Sequence, residues 1–268
     1  MYRLLIRPFI KNLPPEKAAR ISMRYFRLVG MIPGGRFINR LIHGNRATGL
    51  QKEVFGLNFY NPIGLGAGLD RNAYLYNDLN DLGFSFSEIG PLDRNGVIKA
   101  VKNIQKDPQN DILAACIDKD YLEAFTLAYD FCDFFVIDIL GYHWDEVLSP
   151  ILDARLSDET YKPLIVKIND NHSNADIQRI VEYCMLNGID GIQIQKPEHI
   201  ELINSISKGR LPIMANCQVN SPEEAAALLD SGASLLEIGM DLVYQGPNVV
   251  RKTLRFLDNR LRRTNNQQ

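Results

Sequence analysis

The stretch "PLIVKINDNHSNADIQRIVEYCMLNGIDGIQIQ" (residues 163–195) decides the fold of this chain. It opens on a short apolar run, 163–168, and closes on another, 190–195. Between them "DIQRIVEYCMLNGI" spaces its apolar residues as a helix does, so the unit reads strand, helix, strand. Neither strand run alternates cleanly between apolar and polar residues. Such runs belong to strands covered on both faces, which is the setting of a parallel sheet under helices.

The unit repeats. Further strand candidates are 61–68, 84–90, 112–117, 134–140, 211–219 and 234–239, with amphipathic stretches such as "NAYLYNDLNDLG", "PEHIELINSISKG" and "SPEEAAALLDSGA" between them. Eight strands in about 200 residues predict an α/β fold of (β/α)8 TIM-barrel type. The barrel is expected over 46–258, after a helical module at 1–45 and before a polar tail at 259–268. In the helix after 221 the sequence predicts Ser221 as N-cap, Pro222 at the first helical position and Glu224 closing a capping box.

Charge divides the chain more sharply than composition does. It has 268 residues, 46% of them hydrophobic and 23% charged, which is ordinary for a globular protein. Residues 1–50 hold ten basic residues against the single acid Glu16, a charge of +9, while the remainder carries −11. The basic segment is amphipathic. Leu4, Leu5, Ile6, Phe9 and Ile10 form an apolar side among Arg3, Arg7 and Lys11. After Pro14-Pro15 a second helix places Ala18, Ile21, Tyr25, Phe26 and Val29 together, "IPGGR" (32–36) breaks it, and "FINRLI" follows. Three roles stay open: a cap packed on the acidic globule, a basic amphipathic pair on an anionic membrane surface, or a surface for a protein partner. No nucleic-acid partner is expected.

The four cysteines, Cys116, Cys132, Cys184 and Cys217, lie in apolar runs without C-x-x-C spacing, so a reduced interior is expected rather than a disulfide framework or zinc site. No apolar run reaches the ~20 residues of a membrane span. "MYRLLIRPFIKNL" lacks the long apolar stretch and cleavage site of a signal peptide. The expected location is cytoplasmic, with peripheral contact on the inner face of the cell membrane.

In a (β/α)8 barrel the C-terminal strand ends face the site. Here they are residues 68–71, 88–90, 116–119, 138–143, 167–170, 193–196, 216–218 and 239–241. "GLNFYNPIGLGAGLDRN" (56–72), "GFSFSEIG" (83–90), "PLIVKI" (163–168), "GIDGI" (188–192), "GRLPI" (209–213) and "GASLLEIGMDLVYQGPNVVRK" (232–252) keep a recognisable order. With the basic helical module before them, they resemble the class 2, membrane-associated, quinone-type dihydroorotate dehydrogenases, and the chain is identified as a shortened, divergent member.

The resemblance implies FMN, oxidation of dihydroorotate, and a quinone that enters through the N-terminal module. It also implies a serine base after the fourth strand, asparagines that hold substrate, a lysine near the flavin ring and backbone amides for the phosphate. Several of these are replaced. The serine position is Gly141, which has no side chain to take a proton. His143, where a substrate asparagine belongs, is the remaining candidate base. The strand-three asparagine is Cys116, and the group after strand six is Gln195-Lys196-Pro197. The phosphate glycines after strand seven are Cys217 and Gln218. After strand eight come Gly239, Met240 and Asp241, whose carboxylate would oppose a dianion. Only "DRNGV" (93–97) stands for the long family loop after strand two.

What remains is vestigial: Ala67 and Gly68 on the first strand, Arg71 in place of a lysine, Lys167, and Asp138 in place of an asparagine. A lone lysine inside a barrel is expensive to bury, so Asp138 and Lys167 are predicted to pair. The favoured expectation is a degenerate barrel with FMN absent or weakly held. The alternatives are an active FMN-dependent dihydroorotate dehydrogenase or another barrel enzyme with a rebuilt site of Asp70, Arg71, Asp138, His143 and Lys167 taking a small anionic ligand at the mouth. A further alternative is a membrane-surface or protein-interaction scaffold.

Overall fold

A computed structural model of the chain describes residues 2–44, 49–107, 111–139 and 143–266. A hairpin of β1 (Lys52–Val54) and β2 (Leu57–Phe59) precedes eight strands. These are β3 (Ile63–Leu65), β4 (Phe86–Leu92), β5 (Ile112–Ile117), β6 (Phe134–Asp138), β7 (Leu164–Ile168), β8 (Gly191–Ile194), β9 (Ile213–Ala215) and β10 (Leu235–Ile238). All eight run parallel in chain order, and β10 pairs back onto β3 to close the barrel. The (β/α)8 fold read from the sequence is the fold observed.

Helices α1 (Tyr2–Leu5), α2 (Arg7–Ile10), α3 (Pro15–Met31) and α4 (Gly35–His43) make the N-terminal module. Around the barrel run α5 (Tyr76–Asn80), α6 (Arg94–Lys106), α7 (Tyr121–Ala128), α8 (Trp144–Leu156), α9 (Asn174–Leu186), α10 (His199–Ser207) and α11 (Pro222–Asp230). The short α12 (Met240–Gln245) and the long α13 (Asn248–Asn265) close the chain.

Alternate residues of each strand point to opposite faces. One face packs under the helices in the larger apolar core, with Ile63, Leu65, Ile89, Leu113 and Ile192 buried there. The other faces inward, where Phe86, Phe134, Val136, Ile165, Met214 and Leu235 fill the barrel together with Val54 and Phe59 of the hairpin. Phe59 meets Phe86 edge to face, ring centres 5.4 Å apart. The hairpin is absent from the sequence reading because each strand is only three residues long. Gly64 is required by this packing: a Cβ there would lie 2.1 Å from the Phe86 ring.

The N-terminal module is docked. Ile10, Ala18, Met23 and Phe26 are buried, Tyr2 stacks on Phe26, and its hydroxyl donates to the Val243 carbonyl of α12. Charge reinforces the contact. Arg36 Nε lies 3.0 Å and Arg40 Nη2 2.7 Å from the Asp81 carboxylate, and Arg27 reaches Asp78 at 3.4 Å. Part of the +9 segment is therefore matched to acids on the barrel. Yet Leu4, Phe9, Leu28, Met31, Phe37 and Leu41 of the same module remain exposed.

One local expectation gains a definite conformation and another needs correction. The polar tail expected at 259–268 is, through Asn265, the end of α13, held by Arg260–Asp230 at 2.7 Å and the i,i+4 pair Asp258–Arg262 at 3.1 Å. Arginine-rich sequence favours helix as readily as it favours water. At α11, Ser221 accepts from the Glu224 amide as expected, but Glu224 Oε2 accepts from the Asn220 amide at 2.8 Å instead of completing the box. A full capping box does occur at α9, between Ser173 and Asp176.

Candidate functional site

Two residues further along the inward faces, the apolar filling gives way to polar side chains. Phe86 is followed by Glu88, Val136 by Asp138, Ile165 by Lys167, Gly191 by Gln193 and Leu235 by Glu237. Asp138 and Lys167 stand in register on β6 and β7. Their heads are 2.6 Å apart, with side chains 10% and 12% exposed. Asn169 Nδ2 donates to the second Asp138 oxygen at 2.8 Å, so that carboxylate is engaged on both sides. The predicted pair forms. Desolvation lowers the Lys167 ammonium, but the neighbouring Cys116, Asp138 and Glu88 together outweigh it and hold the group above its usual range.

The rest of the layer is a carboxamide between two carboxyls. Gln193 Nε2 donates to Glu88 at 2.7 Å and to Glu237 at 2.8 Å. All three residues are fully buried. Burial raises both glutamates above the ordinary carboxylate range, and Glu237 rises furthest because the Glu88 charge adds to desolvation. The two carboxyls, joined through one carboxamide, oppose each other's ionisation. One oxygen of each glutamate and the Gln193 carbonyl oxygen lack a hydrogen-bond partner. Gly66 is close against this layer, since a Cβ would fall 3.3 Å from Glu237 Cβ and 3.2 Å from Asn216 Nδ2. A side chain at Gly66 would thus be tight against the protein's own side chains, which would have to give by a few tenths of an ångström.

The loops after β9 and β10 also face each other. Asp241, buried at the start of α12, accepts the Val219 amide at 3.2 Å, and Gln245 Nε2 donates to the Val219 carbonyl at 3.3 Å. An amide at the place where a barrel of this kind receives a phosphate is thus taken by an internal carboxylate. Burial raises Asp241 above its usual value and pushes the neighbouring Cys217 thiol up to about 12, which leaves that thiol protonated and inert.

Other sequence candidates are not gathered here. Asp70 is buried, but its two oxygens accept the Tyr74 and Leu75 amides at 2.8 and 2.7 Å, which makes it a turn residue. Arg71 is exposed. The side chain of His143 is 82% exposed, 3.6 Å from Glu146, and faces no interior group. Gly141 lies outside the described residues. Ala67 packs on the inner apolar cluster, and Gly68 is exposed at φ +104°. "DRNGV" starts α6, with the Asp93 side chain accepting the Gly96 amide at 2.6 Å. Gln193 and Asn169 fell within the strand-end ranges 193–196 and 167–170 without being singled out, and Glu237 lay just before the range 239–241. The signal for them was a polar residue inside each of the apolar runs "GIQI" and "LLEI".

A closed parallel barrel with its polar residues at the C-terminal strand ends defines the class: a (β/α)8 barrel protein. No protein-family profile matches the chain. The quinone-type dihydroorotate dehydrogenase of Christiangramia forsetii is 23% identical over 329 aligned positions, covering 94% of this chain and 97% of the relative. That of Idiomarina loihiensis is 23% identical over 340 positions, covering 96% and 100%. Both alignments are longer than this chain of 268 residues, so the relatives carry insertions that it lacks. In fold it matches a ligand-free dihydroorotate dehydrogenase of Eimeria tenella, with TM-score 0.78, 17% identity and coverage of 94% and 96%. Over nearly its whole length the chain is thus similar to the quinone-type dihydroorotate dehydrogenases in sequence, as a shortened and divergent relative, and it shares their barrel fold.

Proposed function

We propose that this chain keeps the barrel and the basic module of its family but has lost flavin binding and dihydroorotate oxidation. The observation that carries the reading is the Asp241 carboxylate on the Val219 amide. A dianionic phosphate at that place would displace the internal bond and then face the carboxylate, a repulsion of order several kcal/mol at intermediate dielectric. The residues present do not fit the group.

Three further features support the reading. The Glu88–Gln193–Glu237 layer and the Asp138–Lys167 pair spend the inward polar groups on one another. Gly141 offers no base. The exposed His143 has no interior partner through which to act. Protein purified after expression with excess riboflavin is expected to be colourless and to show no dihydroorotate-dependent quinone reduction with FMN added. A stoichiometric flavin or sustained turnover would overturn the reading.

The module adds a second property. Its exposed Leu4, Phe9, Leu28, Met31, Phe37 and Leu41, set among arginines and lysines, make a basic amphipathic surface of the kind that lies on anionic lipid. No helix among the described residues is long and apolar enough to cross a membrane, so attachment is peripheral in this proposal. Flotation with anionic vesicles is expected, and it should weaken with rising salt. Equal recovery with neutral vesicles would contradict it.

A further inference from the structure

A cavity of about 690 Å³ lies between α3 and the loop that follows β3, outside the barrel interior. Its size is that of a small-ligand cleft. The apolar part comes from Ala19, Met23, Leu28, Leu69 and Leu75. The polar part is dominated by guanidinium groups: Arg20, Arg24 and Arg27 at helical spacing on α3, and Arg71 from the facing loop.

These arginines are not neutralised as those nearer the barrel acids are. Arg20, Arg24 and Arg71 are exposed and make no ion pair among the described residues, whereas Arg36 and Arg40 are spent on Asp81. Arg27 reaches Asp78 and stacks over Tyr74 at 4.2 Å, yet its Nε is shielded from solvent and has no acceptor. Of the two acids in the lining, Asp70 is committed to backbone amides, which leaves Glu16 alone against the arginines. An apolar floor beneath a surplus of guanidinium donors is complementary to a ligand that is itself apolar at one end and anionic at the other. Leu28 is 63% exposed on the lining, and Met31, 68% exposed, follows it on the same helix. The cavity is thus continuous with the module's apolar surface.

We propose that this cavity binds a single-chain amphiphile with an anionic head, a fatty acid or its phosphorylated counterpart, the head held by Arg24 and Arg71 and the chain laid over Met23, Leu69 and Leu75. The occupant is set by charge: a neutral quinone of equal chain length leaves the guanidinium groups without an acceptor. The inference stands apart from the flavin reading, and the test uses no vesicles, so its failure leaves the flavin and flotation results as they are.

The test is displacement of a fluorescent polyene fatty acid from the full chain by hexadecanoate, below micelle formation. Saturable binding is expected. Methyl hexadecanoate and a neutral quinone of matched length should compete about tenfold or more less well, the loss of a charge-assisted pairing. Inorganic phosphate, with no chain, should not compete. The double variant Arg24→Gln/Arg71→Gln should weaken hexadecanoate by a similar factor and leave the methyl ester unchanged. Its melting curve should match the parent, since both side chains are exposed and unpaired. Absence of saturable binding, an ester or quinone equal to the acid, competition by phosphate alone, or a variant with parental affinity would each overturn the proposal.

Discussion

Asp138→Ala is expected to destabilise the protein by about 3–5 kcal/mol, measured as a shift in urea unfolding. The loss is not the strength of one ion pair. It comes from leaving the Lys167 ammonium, whose side chain is 12% exposed, without its one ion-pair partner among the described residues. Glu88, the other acid acting on Lys167, already accepts from Gln193 and is itself raised by burial. Removing both charges is a different experiment. Asp138→Leu/Lys167→Met exchanges a desolvated pair for apolar volume in a barrel whose lower layer is already apolar, and it should be at least as stable as the parent. Equal, small losses in the single variants would show that solvent reaches the pair and that the layer is open.

Glu237→Gln should make the protein more stable at about pH 8, by about 1–3 kcal/mol, and change it little at about pH 5. Glu237 is raised well above its ordinary value of 4.5 by burial and by the Glu88 charge. A carboxyl raised in the folded state favours folding when protonated. Its contribution is complete below the ordinary value and is lost as pH rises through the folded value. The parent should therefore lose stability across the neutral range, with Asp70 and Asp241, both raised by burial, adding in the same direction. The variant stays neutral throughout and should flatten that slope. Its amide also offers a donor within a layer whose acceptor oxygens outnumber their partners. An unchanged slope would mean that the two glutamates do not form the buried pair described above.

The sequence carried the barrel because strands covered on both faces are apolar in nearly every position, and the helices between them keep their period. It carried the Asp138–Lys167 pair because the two residues end adjacent parallel strands, which leaves little freedom in register. Glu88, Gln193 and Glu237 were harder to join. Gln193 lies 105 residues from one partner and 44 from the other, and their meeting depends on how the closed barrel staggers its strands. Asp241 was legible as a charge opposed to phosphate, but not as the acceptor for Val219, because a loop-to-loop bond has no period. The helical state of the last turns of α13 was not legible, because a run of arginines looks solvated whether or not it is helical. In the module the cap reading is visible and the surface around it is left open. Some of its arginines meet acids on the barrel, while others, with a row of apolar side chains, face outward.

The central claim is that side chains of this protein have taken over the places that a flavin needs. It is tested most directly by thermal unfolding of the full chain with and without a large excess of FMN. A ligand that binds only the folded state must raise the melting temperature, and at about a hundredfold excess over its dissociation constant the gain is about 2.7 kcal/mol. The account predicts no displacement beyond about 1 °C. A saturable rise of several degrees with FMN would contradict it.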